Sequence, residues 1–246
     1  MNTKAGRIRR ALFFLREYFF PCGCAICGKS LVNTRETWYG LCAACRAEID
    51  NNLNERLSAN APCDLCGKPL ISEQGRCLNC RNGDERSFDR VFVLFPYNGK
   101  HQKLLEAYKF GKSLALGNFF MEKIRDTFEK IVAVYMPEAV IVPVPPRPGK
   151  IKKTGWDQVE YLTKLLEGGL PVRRCLKRLR SDVQKKLNRE DRRKNLKGRI
   201  ILVEKAPAAS VLIDDVMTTG STLDVCASVL KAGGAERVYG ICLFYD

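Results

Sequence analysis

Residues 211–222 read VLIDDVMTTGST, which places two adjacent carboxylates, Asp214 and Asp215, just ahead of Thr218, Thr219, Gly220, Ser221 and Thr222. The two halves suit opposite partners. Carboxylates repel phosphate and accept hydrogen bonds from neutral hydroxyls, whereas hydroxyls and backbone amides donate to phosphate. Read as strand, loop and helix, the stretch puts the hydroxyl run at a helix start, where free amides and a partial positive charge favour an anion. Gly220 lets a phosphate approach the backbone. A sugar phosphate satisfies both halves, with phosphate on Thr218–Thr222 and ribose hydroxyls on Asp214 and Asp215. The competing reading is a threonine-rich helix cap after a buried strand.

A second chemistry lies near the other end. Eight of the 12 cysteines form four CxxC pairs: Cys24/Cys27, Cys42/Cys45, Cys63/Cys66 and Cys77/Cys80. Two intervening residues let both thiolates of a pair meet one tetrahedral metal, and two such knuckles complete a four-cysteine zinc site. Glycine follows two pairs, in CAICGKS and CDLCGKP, where it allows positive φ. The spacing predicts two structural zinc ions. A disulfide framework competes weakly, because no secretion signal is legible and the other cysteines have no pattern. Sequential pairing needs only short loops, and an interleaved cross-brace stays open. Cys22 is a second candidate for the place of Cys24. GCAICGKS also matches a phosphate-loop pattern, but it lacks a preceding strand and two of its variable positions are CxxC cysteines.

The charge is uneven. The chain of 246 residues carries a formal +15, and the stretch 147–199 supplies +12 of it. Such a block suits a polyanion, whether phosphate, diphosphate or nucleic acid, with a solvated basic face as the plain alternative. Four thiolates around each zinc would lower the working charge to about +11. His101 is the only histidine, so a second histidine acting as base or triad member is excluded. It reads as a surface helix residue. No segment approaches the ~20 apolar residues of a membrane span. Ile8, Leu12, Leu15 and Phe19 share a helical face, so residues 1–20 read as an amphipathic helix on the protein, with peripheral membrane contact as the alternative. The expected location is cytoplasmic, the inner face of the membrane being the variant.

These residues need a scaffold. Segments 89–97, 139–144, 199–203, 210–214 and 237–245 read as strands, with 172–179 as a further candidate; 101–110, 118–135, 156–169 and 222–234 read as helices. Short apolar strands alternating with helices imply an α/β fold with a parallel sheet and helices on both faces. Ligands in such sheets bind beyond the carboxyl ends of strands. The loops 145–155 and 214–222 both belong there. Three parts are expected: a helix at 1–20, a double zinc ribbon at 21–83 and an α/β domain at 84–246.

The apolar strand, two acids, two apolar residues and TTGST resemble the 5-phosphoribosyl-1-diphosphate (PRPP) motif of type I phosphoribosyltransferases. With the four-CxxC amino terminus, IVPVPPRP…TGWDQ and LKRLRSDVQKKLNREDRRKNLKG, the chain resembles the ComF (ComFC) family from about Pro21 onward. The resemblance implies a double zinc ribbon joined to a phosphoribosyltransferase-like domain, with a part in bacterial uptake of transforming DNA. It implies that the loop after VPVP binds diphosphate, here with Arg147, Lys150, Lys152 and Lys153 as cations, Gly155 opening the next helix, and Trp156 and Gln158 kept. Thr154 stands where the family more often has arginine. Segment 184–198 would be a hood over the sugar. Two functions follow. One is a PRPP-binding module with magnesium on its ligand, whose ribbons and basic block engage single-stranded DNA or a helicase-like DNA-uptake partner. Trp38, Tyr39 and Trp156 are its stacking candidates. The other is a phosphoribosyltransferase in which a nitrogen nucleophile displaces diphosphate. No residue is assigned to catalysis.

Overall fold

The computed structural model describes residues 23–59, 62–70, 73–83, 85–180 and 198–246, with side chains undescribed at 52–59. The helix expected at 1–20, Cys22, and the basic segment 184–197 lie outside the described residues. In chain order the elements are α1 (Thr34–Tyr39), α2 (Ala43–Ala59), α3 (Leu78–Arg81), β1 (Arg90–Pro96), α4 (Gly99–Lys109), α5 (Leu114–Val134), β2 (Val140–Pro143), α6 (Lys150–Thr154), α7 (Gln158–Leu166), β3 (Leu176–Arg178), β4 (Ile200–Leu202), β5 (Ala209–Met217), α8 (Ser221–Ala232) and β6 (Arg237–Tyr245).

Four of the strands form a parallel sheet in the order β1-β6-β5-β2. Parallel strands are covered on both faces and so read as near-continuous apolar runs, as in SVLI and ICLF. Their side chains alternate between two cores. Val211, Ile213, Ile241 and Leu243 meet α5 and α7 through Phe119, Phe120, Ile124 and Leu162. Leu212, Val238 and Cys242 meet α8 through Leu223, Cys226 and Leu230. Helix α5 fits its face because Leu116, Phe120, Ile124, Phe128 and Ile131 recur every three or four residues.

Two expectations are corrected. Segment 199–203 gives β4, but β4 pairs antiparallel with β3 and stands outside the parallel sheet. It forms a separate two-stranded sheet with β3, and Ile200 and Leu176 both belong to the second core. His101 is buried rather than superficial. It stacks on Phe95 with ring centroids 5.4 Å apart, and its Nδ1 lies 3.4 Å from Asn98 Oδ1. The first turn of α4 lies against β1, so an early helical position is not a solvent position here.

Candidate functional site

Strand β5 runs longer than the sequence suggests. Asp214 and Asp215 lie within it, and pairing with β6 continues to Met217 opposite Tyr245. The loop is therefore only Thr218, Thr219 and Gly220. Gly220 takes φ 71° as the residue before α8, a left-handed conformation that favours glycine. A Cβ there would stand 2.8 Å from Met217 Cε. Thr219 Oγ1 lies 2.7 Å from Ser221 Oγ and accepts from the Ser221 amide at 3.3 Å. Thr218 is exposed, while Gly220 and Ser221 are buried.

The acids have distinct surroundings. The Asp214 carboxyl accepts from the Asp215 amide at 2.9 Å. Packing away from water, then the adjacent Asp215 charge, hold its pKa well above the usual carboxylate range. Asp215 lies 3.5 Å from Lys109 Nζ, at the end of α4. Arg178 on β3 is drawn below the usual arginine value by burial first and by the Arg147 charge second, with Asp214 opposing. Acids and cations thus share the carboxyl edge of the sheet. Lys109 and Arg178 were not legible as site residues, since nothing in their local spacing marks them.

The second loop emerges beside the first, because β2 and β5 are neighbours and Val144 N donates to Ile213 O at 3.0 Å. It climbs through Pro145–Gly149 into α6, where Arg147 and Lys153 are exposed. Gly155, at φ 80°, closes α6 instead of opening the following helix. Helix α7 starts at Gln158 with Asp157 as its cap, accepting from the Glu160 amide at 3.0 Å. Lys150 Nζ donates to Asp157 Oδ2 and Gln158 Oε1, both at 2.5 Å. Gln158 is buried and also donates to Lys109 O at 3.4 Å. Lys150 and Gln158 therefore brace the loop, and the exposed Arg147, Lys152 and Lys153 are the cations it offers. Of the stacking candidates, Trp38 is exposed. Tyr39 lies under the Arg46 guanidinium, 3.9 Å from its centroid, and donates to Glu122. Trp156 packs edge-on to Tyr108.

The cysteines gather sequentially into two groups, Cys24/Cys27/Cys42/Cys45 and Cys63/Cys66/Cys77/Cys80, with all ligand atoms of a group within 4.8 Å of one another. Cys27 and Cys42 sulfurs are 3.7 Å apart, as are those of Cys66 and Cys77. Metal–sulfur bonds near ~2.3 Å at tetrahedral angles need sulfurs about 3.8 Å apart, so each group fits a zinc-sized ion. The knuckles are copies of one another. Cys24 N donates to Lys29 O and Gly28 N to Cys24 O; Cys63 N donates to Lys68 O and Gly67 N to Cys63 O, at 2.8 and 2.9 Å in both. Burial raises the thiol pKa of Cys24 and Cys63, but knuckle amides outweigh it and bring both down to about 7. Burial, reinforced by neighbouring sulfurs, pushes Cys45 and Cys66 up. Four thiolates in one place need a cation among them.

No family model matches the chain. It is similar over most of its length to three curated proteins. It is 28% identical over 232 residues to Competence protein F of Haemophilus influenzae, covering 89% of this chain and 95% of that protein. It is 27% identical over 215 residues to Competence protein ComFC of Bacillus subtilis, covering 82% and 83%. It is 25% identical over 231 residues to Competence protein ComFC of Streptococcus pneumoniae, covering 87% and 96%. Among the described residues no helix is long and apolar enough to cross a membrane.

Proposed function

We propose that this chain is a zinc-bearing PRPP-binding protein that serves DNA uptake in competence. The observation that carries the ligand is the junction at the carboxyl edge, where the Asp214–Asp215 pair, the Thr218–Gly220 turn into α8 and the cationic loop after β2 meet. Amides and hydroxyls of residues 218–222 hold the 5-phosphate, the two acids take ribose hydroxyls, and Arg147 and Lys153 face the diphosphate with magnesium. Each four-cysteine group holds one structural zinc. The competence role is supported by the names of the three relatives. Single-stranded DNA, or a helicase-like partner that moves it, meets the basic block 147–199, whose +12 no single small ligand requires. Residues 21–83 and 84–246 are the two functional parts.

The test is calorimetry with PRPP and magnesium, followed by a diphosphate-release assay with candidate bases. Binding without release is expected. Release with one base would make the protein a phosphoribosyltransferase. A carboxylate bonded to a ribose hydroxyl contributes ~1.5–3 kcal/mol. Asp215→Asn should therefore weaken binding about tenfold to a hundredfold, and Asp214→Asn less, because burial and the Asp215 charge already disfavour its ionised form. Unchanged affinity in the double variant refutes the assignment.

A further inference from the structure

The second cysteine group and the phosphate turn touch a common bridge. Arg86 lies six residues after Cys80 and donates through Nη2 to Thr219 O at 3.2 Å. Its Nη1 lies 3.8 Å from Asp224 Oδ2, in the early part of α8. Ser87 N donates to Asp224 Oδ1 at 2.8 Å. Phe88 is fully buried against Gly220. The turn is thus held from outside by the strap that leaves the cysteines. On the other side, Cys66, Cys77 and Cys80 face Met217, Thr218 and Thr219 across a cleft of about 60 Å³ that Arg86 also lines. The knuckle is itself fixed to the sheet, since Val91 N donates to Leu65 O at 2.8 Å. The first group has no such route among the described residues. It rests on α5, joined to the opposite core.

We infer that the metal at Cys63/Cys66/Cys77/Cys80 and the phosphate at residues 218–222 are coupled ligands, with Arg86 as the positioning residue between them, whereas the metal at Cys24/Cys27/Cys42/Cys45 is uncoupled. The inference rests on the phosphate-binding reading above. A knuckle that opens releases the strap, and a released strap frees Thr219 and the start of α8. A phosphate that orders this turn stabilises the arrangement that keeps the knuckle closed. Such coupling is reciprocal, so each ligand tightens the other by the same factor.

The test is pulse alkylation of the full-length zinc-loaded chain. A zinc chelator and N-ethylmaleimide are added with or without saturating ribose 5-phosphate, and peptide mass spectrometry follows each cysteine group. Expected is a roughly 5- to 150-fold slowing at Cys63, Cys66, Cys77 and Cys80, and no change at Cys24, Cys27, Cys42 and Cys45. Arg86→Gln should abolish the protection. The wild-type comparison needs no variant, so it stands even where Arg86→Gln does not fold, and Asp224→Asn cuts the bridge at its other end. Calorimetric binding of ribose 5-phosphate without protection overturns the coupling alone. Equal protection of both groups overturns it too, because that is global stabilisation. No binding of ribose 5-phosphate overturns the phosphate reading and the coupling together.

Discussion

The two cysteine modules are built alike and used differently. Both follow C-x-x-C-G-K, both close the same two knuckle hydrogen bonds, and both hold glycines at nearly equal φ: 74° and 68° at Gly28 and Gly67, 67° and 66° at Gly40 and Gly75. Their docking differs in kind. The first module packs Cys24, Leu41, Cys42 and Ile49 into the core that carries α5 and adds polar side-chain bonds to that helix. Tyr39 and Arg46 both bond to Glu122, Lys123 pairs with Asp50 at 2.8 Å, and Asn118 donates to Trp38 O. The second docks through main chain and core, with Leu65 bonded to Val91 and Cys63, Cys66 and Cys77 packed into one core with Phe88, Met217 and Leu223. Metal spacing dictates the knuckle. Where the knuckle lands decides what depends on it.

The largest expected difference follows from removing a ligand. Cys63 is 1% exposed and sits in the core that carries α8, whereas Cys27 is exposed. Structural zinc contributes on the order of 10–16 kcal/mol to isolated ribbon folding. Among the described residues, only the second module is tied through Arg86 to the turn at 218–220. Cys63→Ser should lower the α/β melting temperature by about 10 °C or more, at roughly 2–4 °C per kcal/mol for a chain this size. Cys27→Ser should lower it far less, and each variant should retain one zinc. Equal melting losses in the two variants would mean that both modules are structural in the same way.

The next contrast is between two glycines in matching places. Alanine at either position must adopt positive φ, costing ~1–2 kcal/mol. At Gly28 the added methyl meets open space; at Gly67 it would stand 2.5 Å from Val91 O and 3.2 Å from Val93 N. That backbone belongs to β1 and cannot yield without disturbing the sheet. Gly67→Ala should cost about 3 kcal/mol or more, adding overpacking to conformational strain, and Gly28→Ala only the strain. Denaturant melts of the two variants measure the difference. A Gly67→Ala cost no greater than that of Gly28→Ala would show that the knuckle does not press on β1.

The same contrast marks what the chain made legible. CxxC spacing identifies eight cysteines because a knuckle is a local object, and the parallel α/β sheet is written in alternating apolar runs and helix periods. The strand–turn–helix at 211–222 is local as well, although β5 extends to Met217 because β6 continues to pair with it. What stayed hidden is set by distant packing. Sequential grouping of the cysteines was one of two options until the chain was folded. Arg86, Lys109 and Arg178 reach the site from separate elements, and the bond from Lys150 to Gln158 joins two residues eight positions apart across the loop and a helix start. His101 looked superficial because Lys100, Gln102 and Lys103 beside it in sequence are polar, while its ring stacks on Phe95 of β1. The duplication of the modules is visible in the repeated CGK, yet opposite docking faces cannot be inferred from it.

The smallest predicted effects reverse the asymmetry, because acid acts on side-chain docking. Burial raises the Glu122 pKa, but the bond from Tyr39 and the Arg46 charge outweigh it and hold it below the ordinary value of 4.5. The Val32 and Ala43 amides lower that of Glu36, whose carboxylate closes the starts of α1 and α2. A depressed folded pKa gives stability that is complete above the unfolded value and is lost as pH falls through the folded one. Below pH 4.5, therefore, the first module loosens on its own account, in addition to the thiolate protonation that weakens metal binding at both. In the second module the half-buried Glu73 accepts from the Leu78 amide and lies 3.8 Å from the exposed Arg81. Glu122→Gln should cost about 1–3 kcal/mol and Glu36→Gln about 1–2 kcal/mol, as hydrogen bonds to a charged acceptor. Glu73→Gln should cost about 1 kcal/mol or less, as a single amide bond beside a weak ion pair with an exposed arginine. Alkylation mass spectrometry during an acid titration would read the order directly, with Cys24, Cys27, Cys42 and Cys45 opening at a higher pH than the second group. Both glutamine variants in the first module should move its opening toward neutral pH and leave the second unmoved. Release of the second group first would mean that the main-chain dock is the weaker one, and the contrast between the modules would have to be drawn the other way.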